Sequence, residues 1–352
     1  MARVVARRRA VVVILSGFTW AGFLRARFRV AIMMAQNTIA SVSVDLDAIA
    51  CYWRIHALPG APPQEARRLI LRRCLPRFAE LFARAGVKAT FFVVGQDLAD
   101  DTEGARRLAE LAADGHELAN HSFTHPYDLV RHAAADIASE IDRAHEAIGA
   151  CAGHGPAGFR APGYTLSAGV LELLCARGYR YDSSAFPSLP YYAAKAVVMA
   201  AMRLARRPSG SYLGSPSVVT APVGPYRPAR GAPYRRGNLP IVEIPMAVTP
   251  VLRLHVIGTS VVTFPEWLRR RMVAAALRRP FFNLELHGID LADAAADGVP
   301  SALVARQPDL RRPLAAKWAA LERTLDEARA RGAVFMPLAQ AVPALEASLG
   351  SG

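Results

Sequence analysis

Gly115-His116-Glu117-Leu118-Ala119-Asn120-His121-Ser122-Phe123-Thr124-His125 places two imidazoles, His121 and His125, four residues apart behind a short apolar run. Two neutral imidazoles at that spacing can close on one metal ion, and His nitrogen suits zinc and its neighbours. Alone, H-x-x-x-H is a weak signal, because surface helices produce it by chance. Upstream, Ser43-Val44-Asp45-Leu46-Asp47 ends an apolar segment with two carboxylates. Residues two apart in a strand project to the same face, so both acids point one way. A His-His-Asp site with one spare carboxylate is the minimal kit for metal-assisted hydrolysis.

Working outward, strand-like and helix-like runs alternate, the pattern of an α/β fold. Strands are expected at 39–45, 89–94, 117–120, 158–161, 179–183, 241–247, 281–287 and 333–337, and helices at 64–85, 102–114, 133–151, 168–177, 264–277 and 317–331. Gly86, Gly115, Gly178 and Gly332 each follow a helix, where a left-handed stop favours glycine. Eight strands with intervening helices indicate a distorted or incomplete (β/α) barrel. Asp45 and Asp47 then end the first strand, His121 and His125 follow the third, and Arg160, Asp182 and His287 end the fourth, fifth and seventh. Chemistry in such barrels gathers at the C-terminal strand ends, so residues far apart in sequence would meet at one mouth.

The same blocks carry a resemblance. Gly86-Val87-Lys88-Ala89-Thr90-Phe91-Phe92-Val93-Val94-Gly95 precedes the His121/His125 run, and Phe159-Arg160-Ala161-Pro162-Gly163-Tyr164, Tyr181-Asp182-Ser183-Ser184 and Leu284-Glu285-Leu286-His287 follow it. Together they resemble the polysaccharide deacetylase (NodB-homology, carbohydrate esterase family 4) proteins, over about 38–341. The first block departs from the commonest pattern, since Leu46 separates the two aspartates, as in a subgroup with a D-x-D first motif. The resemblance implies the incomplete barrel of that family and removal of an N-acyl group, acetyl or formyl, from an aminosugar in a glycan or linked to a lipid. Related members hydrolyse small non-sugar amides or cyclic imides, and a catalytically silent carbohydrate-binding barrel is a third alternative.

Asp47, His121 and His125 are the expected metal ligands, for zinc first and cobalt or nickel as substitutes. Asp45 is the expected general base, or else a turn cap. Arg160 would hold Asp45 ionised, since nearby positive charge depresses a carboxyl pKa, unless its salt bridge is only structural. His287 is the expected general acid for the leaving amine, with Asp182 orienting it. The resemblance implies an oxyanion contact from the backbone N–H near Tyr164. Trp53, with Tyr52 and His56, forms either a sugar-stacking wall or core packing. Glu285 and Asp290 flank His287 and could contact substrate, support the site from behind or lie at the surface.

Composition narrows the partners. A chain of 352 residues with 52% hydrophobic and 20% charged residues is a folded enzyme-sized protein. Its four cysteines lack C-x-x-C spacing and read as ordinary thiols. The net charge of +14 is local: residues 1–32 hold seven arginines and residues 186–238 eight basic residues, neither with an acid. Uniform basicity would suit nucleic acid, which is not expected as a partner; two patches fit an anionic substrate or peripheral membrane contact better. No Walker or dinucleotide fingerprint is present.

At the N-terminus, Arg7, Arg8 and Arg9 precede an apolar run at 10–24. A helix of that length reaches only about 22 Å, short of the roughly 30 Å hydrocarbon core. The segment 1–32 is a short anchor or a mis-called start ahead of Met33 or Met34. The barrel is expected at 33–348, in a cytoplasmic protein that sits free or peripherally at the inner membrane, with an anchor left open. Its insertion at 186–238, rich in Pro, Gly and Tyr, is expected to be a lid with a helix at 193–207. That helix would carry Lys195, Met199, Arg203 and Arg206 on one side and Val197, Val198, Ala201, Leu204 and Ala205 on the other. The apolar side either packs on the barrel or, with the basic side, docks a membrane-associated anionic substrate.

Overall fold

The computed structural model describes residues 38–349; the segment 1–32, with its anchor-or-start alternatives, lies outside the described residues. Among the described residues the strands are β1 (Ile39–Asp45), β2 (Thr90–Val93), β3 (Glu117–Asn120), β4 (Gly158–Phe159), β5 (Tyr181–Asp182), β6 (Pro228–Ala229), β7 (Ala232–Arg236), β8 (Val242–Glu243), β9 (Phe281–His287) and β10 (Val334–Phe335). Each of the eight expected strands forms, and all eight join one parallel sheet; β6 and β7 make a separate antiparallel hairpin within the 186–238 insertion.

β1 organises the sheet. Val42, Val44, Ser41 and Ser43 are all fully buried, so both of its faces are covered, as in parallel sheets flanked by helices. It pairs with β9 along its whole length, with β10 at its start and with β2 at its end. The order then runs β2-β3-β4-β5-β8. Between β8 and β9 no ladder forms. Ala247 N donates to Asn283 O at 3.0 Å, and Asn283 Nδ2 reaches Ile244 O and Pro245 O at 3.2 and 3.3 Å. The sheet therefore curls into a barrel that is incompletely closed.

The expected helix stops are present: Gly86, Gly115, Gly178 and Gly332 have φ of 54°, 89°, 74° and 85°. The helix expected over 64–85 is broken into Gln64–Arg67, a π-helical turn Ile70–Cys74, and Leu75–Ala85. Pro76 explains the wide turn, because it has no N–H to continue the ladder. Helices Ile49–Ile55, Gly258–Thr263 and Leu338–Leu349 were not expected. The first two are short, and Pro343 inside the third hides its pattern.

In the insertion the helix runs Leu189–Leu204, a turn earlier than expected, because Ser188 caps it through Tyr191 N and Pro190 opens it. Its apolar side faces out. Val197, Val198 and Leu204 are 68%, 55% and 87% exposed, which overturns the alternative in which this side packs on the barrel. Tyr191, Tyr192, Lys195, Met199 and Met202 are its half-buried inward residues.

Candidate active site

His121 and His125 lie on a loop after β3, not on a helix. Ser122 and His125 take left-handed backbone conformations, φ 63° and 57°, which cost non-glycine residues free energy and persist only when neighbours fix them. The neighbours do so here. Asn120 Oδ1 accepts from Ser122 N (2.8 Å), Ser122 Oγ from His125 N (3.1 Å), and Glu140 Oε2 from Phe123 N and Thr124 N (3.0 and 2.8 Å). Arg54 Nη2 donates to His125 O at 3.0 Å.

The loop brings both imidazoles to Asp47. His121 Nε2 and His125 Nε2 lie 3.1 and 3.2 Å from Asp47 Oδ1, and all three residues are buried. The ligand atoms lie within 4.8 Å of one another. His121 Nδ1 is 2.7 Å from Arg160 O, which fixes its tautomer with Nε2 toward the cluster. Both ring nitrogens of His125 are buried and, among the described residues, neither makes a hydrogen bond, the Nε2 contact to Asp47 being one of charge only. A buried polar atom left unpaired costs about 1–3 kcal/mol, so such an atom beside a carboxylate and a second imidazole fits a metal ligand. Burial pushes Asp47 up, but His125 and His121 outweigh it and hold its carboxyl well below the usual range. Burial lowers His125 toward the neutral, ligating form.

Asp45 sits on one flank, 3.9 Å from His121 Nε2 through Oδ2. The fully buried Arg160 pairs with Asp45 Oδ1 through Nη1. Its Nε and Nη2 donate to Ser183 O (2.8 Å) and Ser183 Oγ (2.9 Å), and its guanidinium carbon lies 4.0 Å from the centroid of the Phe92 ring. One carboxylate, two Ser183 atoms and an aromatic face thus fix the fork.

His287 occupies the other flank, and its partner differs from expectation. Asp182 does not touch it. Asp182 accepts from Ser184 N (3.1 Å) and Ser184 Oγ (2.8 Å), and Ser184 Oγ accepts in turn from Ala161 N (2.8 Å). Together with Ser183, the Tyr181-Asp182-Ser183-Ser184 block therefore braces the Arg160 segment. The cause is topological: β5 pairs with β4, which leads directly into Arg160, while β9 lies across the barrel against β1. Burial and the Asp182 charge push the neighbouring Glu243 carboxyl well up.

Glu285 takes the orienting place. Its Oε1 is 2.9 Å from His287 Nδ1, a charge contact outside hydrogen-bond angles, and its side chain is fully buried. The signal was in the sequence: Glu285 stands two residues before His287 on a strand, so both project to one face. Asp290 is buried too, and its Oδ2 accepts from His287 N at 2.8 Å. Burial lowers the His287 pKa, but Glu285, Asp47 and Asp45 overcome it, raising it well above the ordinary histidine value.

A cavity of about 90 Å3 joins the two flanks, lined by Asp45, Asp47, His121, His287 and Tyr164, with Tyr52, Tyr127, Tyr191 and Lys195 as its walls. It offers room for an amide and a small acyl group beside the cluster. Tyr164 reaches His287 Nε2 through its hydroxyl at 3.0 Å. Its backbone N–H is already donated to Ala161 O at 3.1 Å, which argues against the oxyanion contact expected there. Trp53 lines a larger cavity of about 550 Å3 with Arg54, Asp97 and the ligand candidate His125, and its Nε1 donates to Pro59 O at 3.1 Å. Of the residues expected as a stacking wall or core packing, Tyr52, about 100° round the helix from Trp53, faces the cavity of Asp45 and His287, and Trp53 faces the larger one beside His125. His56 Nε2 is 2.8 Å from Gln307 Oε1, away from the site.

Residues 69–181 match the polysaccharide deacetylase family, a span that contains His121, His125 and Arg160. A peptidoglycan deacetylase of Helicobacter pylori is 27% identical over 164 residues, 45% of this chain and 54% of that protein. A chitooligosaccharide deacetylase of Bradyrhizobium sp. is 41% identical over 90 residues, 25% of this chain and 39% of that protein. The matched parts thus span about half or less of these relatives. A crystal structure assigned to a polysaccharide deacetylase of Mycobacterium smegmatis aligns with a TM-score of 0.58 at 18% identity, covering 89% of this chain and 92% of that one, a likeness of fold. Residues 69–181 thus carry the likeness to the polysaccharide deacetylase family, and the likeness of fold spans most of the chain.

Proposed function

We propose that this chain is a metal-dependent hydrolase that removes an N-acyl group from an aminosugar. One observation carries the reading: a buried Asp47-His121-His125 cluster is flanked in one cavity by Asp45, paired to Arg160, and by His287, backed by Glu285. The two imidazoles and carboxylate are a zinc-type donor set, with cobalt or nickel as substitutes. When bound, the metal supplies Lewis acidity to the scissile carbonyl and makes a nearby water more acidic.

The chain's own residues supply the proton traffic. Asp45 takes the proton of the attacking water, and Arg160, paired with it, holds that carboxylate in place. His287 gives a proton to the departing nitrogen, because an amide anion is a poor leaving group. Glu285 keeps His287 charged for that step. The C–N bond breaks, the acyl carbon leaves as a carboxylate, and the sugar keeps a free amine. Tyr164 flanks the leaving nitrogen through the hydroxyl that meets His287 Nε2. Among the described residues Lys195 has no carboxylate partner, and its Nζ donates to Gly163 O at 3.3 Å; burial pushes its pKa down to about 8. A cation without a counter-ion at the cavity wall favours a substrate with an anionic group beside the acylated nitrogen, such as a sugar phosphate, free or lipid-linked.

The test is a panel of N-acetyl and N-formyl aminosugars, neutral, anionic, polymeric and lipid-linked, assayed for free amine with a small cyclic imide alongside. Turnover of any sugar that disappears in His287→Ala supports the reading. Turnover of the imide alone would move the protein to the small-amide branch, and metal binding without any turnover would favour a silent binding barrel.

A further inference from the structure

The outward side of helix Leu189–Leu204 consists of Ala193, Ala194, Val197, Val198, Ala201 and Leu204, with no polar residue among them. Val197, Val198 and Leu204 are 68%, 55% and 87% exposed. Nothing among the described residues covers them. The same helix sends Tyr191 and Lys195 inward to wall the catalytic cavity. One element therefore has its inner side on the chemistry and its outer side apolar in solvent.

A second exposed apolar tip stands on the next loop of the same barrel end. Val251 and Leu252, 88% and 68% exposed, cap the turn after β8, the neighbour of β5. Arg253 Nη1 ties this turn to Val219 O and Ala221 O, and Tyr192 OH ties the helix to Gly214 O at 3.3 Å, so both tips share one support. Around the helix end stand Arg203, Arg206 and Arg207, all exposed, and none forms an ion pair among the described residues. Residues 186–238 contain no acid to neutralise them. Apolar side chains bordered by unpaired arginines are the composition of a surface that seats in an anionic lipid interface.

We propose that the outward face of helix Leu189–Leu204, with the Val251-Leu252 tip, rests on an anionic lipid surface, and that the catalytic cavity draws its substrate from there. This deepens the aminosugar reading by naming where the substrate resides. No helix among the described residues is long and apolar enough to cross a membrane. The cavity's small volume fits the arrangement: the helix closes the mouth, and displacement of its inner residues on the lipid would admit the sugar.

The experiment uses the full chain, because its N-terminal arginines also favour anionic lipid and must be common to every protein compared. An environment-sensitive fluorophore is placed at Val197→Cys, and at Asp136→Cys on a remote exposed helix as control. Vesicles of phosphatidylglycerol and of phosphatidylcholine are then added. A blue shift at position 197 alone, with phosphatidylglycerol only, is expected. No shift at 197, an equal shift at both positions, or equal response to both lipids would overturn the proposal.

In parallel, Val197→Ser/Val198→Ser/Leu204→Ser and Arg203→Gln/Arg206→Gln/Arg207→Gln should each lower partition onto phosphatidylglycerol vesicles. The expected loss for the arginine variant is about a hundredfold, at roughly fivefold for each of the three arginines near an anionic surface. Conversion of a dimer to a monomer by the apolar variant, with vesicle binding intact, would assign the face to a second copy and also overturn the proposal. A soluble N-acyl aminosugar separates the two claims. Wild-type turnover of it by both variants leaves the hydrolase reading intact whatever the vesicles show, while no turnover of any N-acyl sugar by any of the proteins would defeat that reading alone.

Discussion

The metal-cluster wall and the lid sit on opposite sides of one cavity and are built by opposite means. The wall is made of buried ends of β1, β3 and β4, with Asp45, His121, His125 and Arg160 all 1% exposed or less. Nearly every backbone kink there has a named side-chain partner. The lid helix has no buried residue and meets the barrel through half-buried tyrosines, methionines and Lys195. The difference teaches that the chemistry is fixed in place while access to it is not. Local stability tracks buried apolar contact, so the lid is the element expected to open at least cost.

Changes in the wall should therefore abolish turnover without altering substrate preference, and changes in the lid should do the reverse. The largest effect is expected from His121→Ala or His125→Ala. Turnover should fall by more than about a hundredfold, beyond what loss of an outer partner causes. A variant that kept wild-type rates would detach that imidazole from the site.

His287→Ala should follow, with a loss on the order of a hundredfold or more for a poor amine leaving group. The raised pKa of His287 means the imidazolium persists through neutral pH, so activity should fall only as pH rises through that value. In His287→Ala this alkaline limb should vanish from the pH–rate profile. Persistence of the limb would place the acid elsewhere.

Glu285→Gln is milder and separates orientation from chemistry. Glu285 is the strongest of the charges that raise His287 against burial. Its removal should lower the imidazole pKa and move the alkaline limb to lower pH, with a rate loss of about tenfold to a hundredfold. Asp182→Asn should leave that limb in place, since Asp182 braces the Arg160 segment. Equal displacement by both variants would restore Asp182 to the role first expected of it.

The smallest effect belongs to the lid. Lys195→Gln should raise KM about tenfold for an anionic aminosugar, the typical worth of one charged hydrogen bond, and leave kcat and neutral sugars nearly unchanged. An equal loss on neutral and anionic substrates would make Lys195 a packing residue.

The same contrast sorts what was legible in the sequence. The eight strands, the four glycine stops and the convergence of Asp45, Asp47, His121, His125, Arg160 and His287 could be read because each rests on local periodicity or a motif at a strand end. Partners across the barrel could not. Asp182 was assigned to His287 because both end strands, whereas the β4–β5 pairing carries it to Arg160. Glu285 was within reach of a period-2 argument on β9. Trp53 and Tyr52 differ by one residue on a short helix, and only the packing decides which faces the cavity. On the lid helix the amphipathic split was visible, but which side faced the barrel was not. Hydrophobicity alone would have turned it the other way.

The central claim is that Asp47 binds the metal while Asp45 works beside it. Metal content and turnover measured together on Asp45→Asn and Asp47→Asn test it most directly. The account predicts about one zinc-type ion per chain and a loss of turnover on the order of a hundredfold or more in Asp45→Asn, and a metal-depleted protein in Asp47→Asn. Full metal occupancy in Asp47→Asn, or the same metal loss in both, would contradict it.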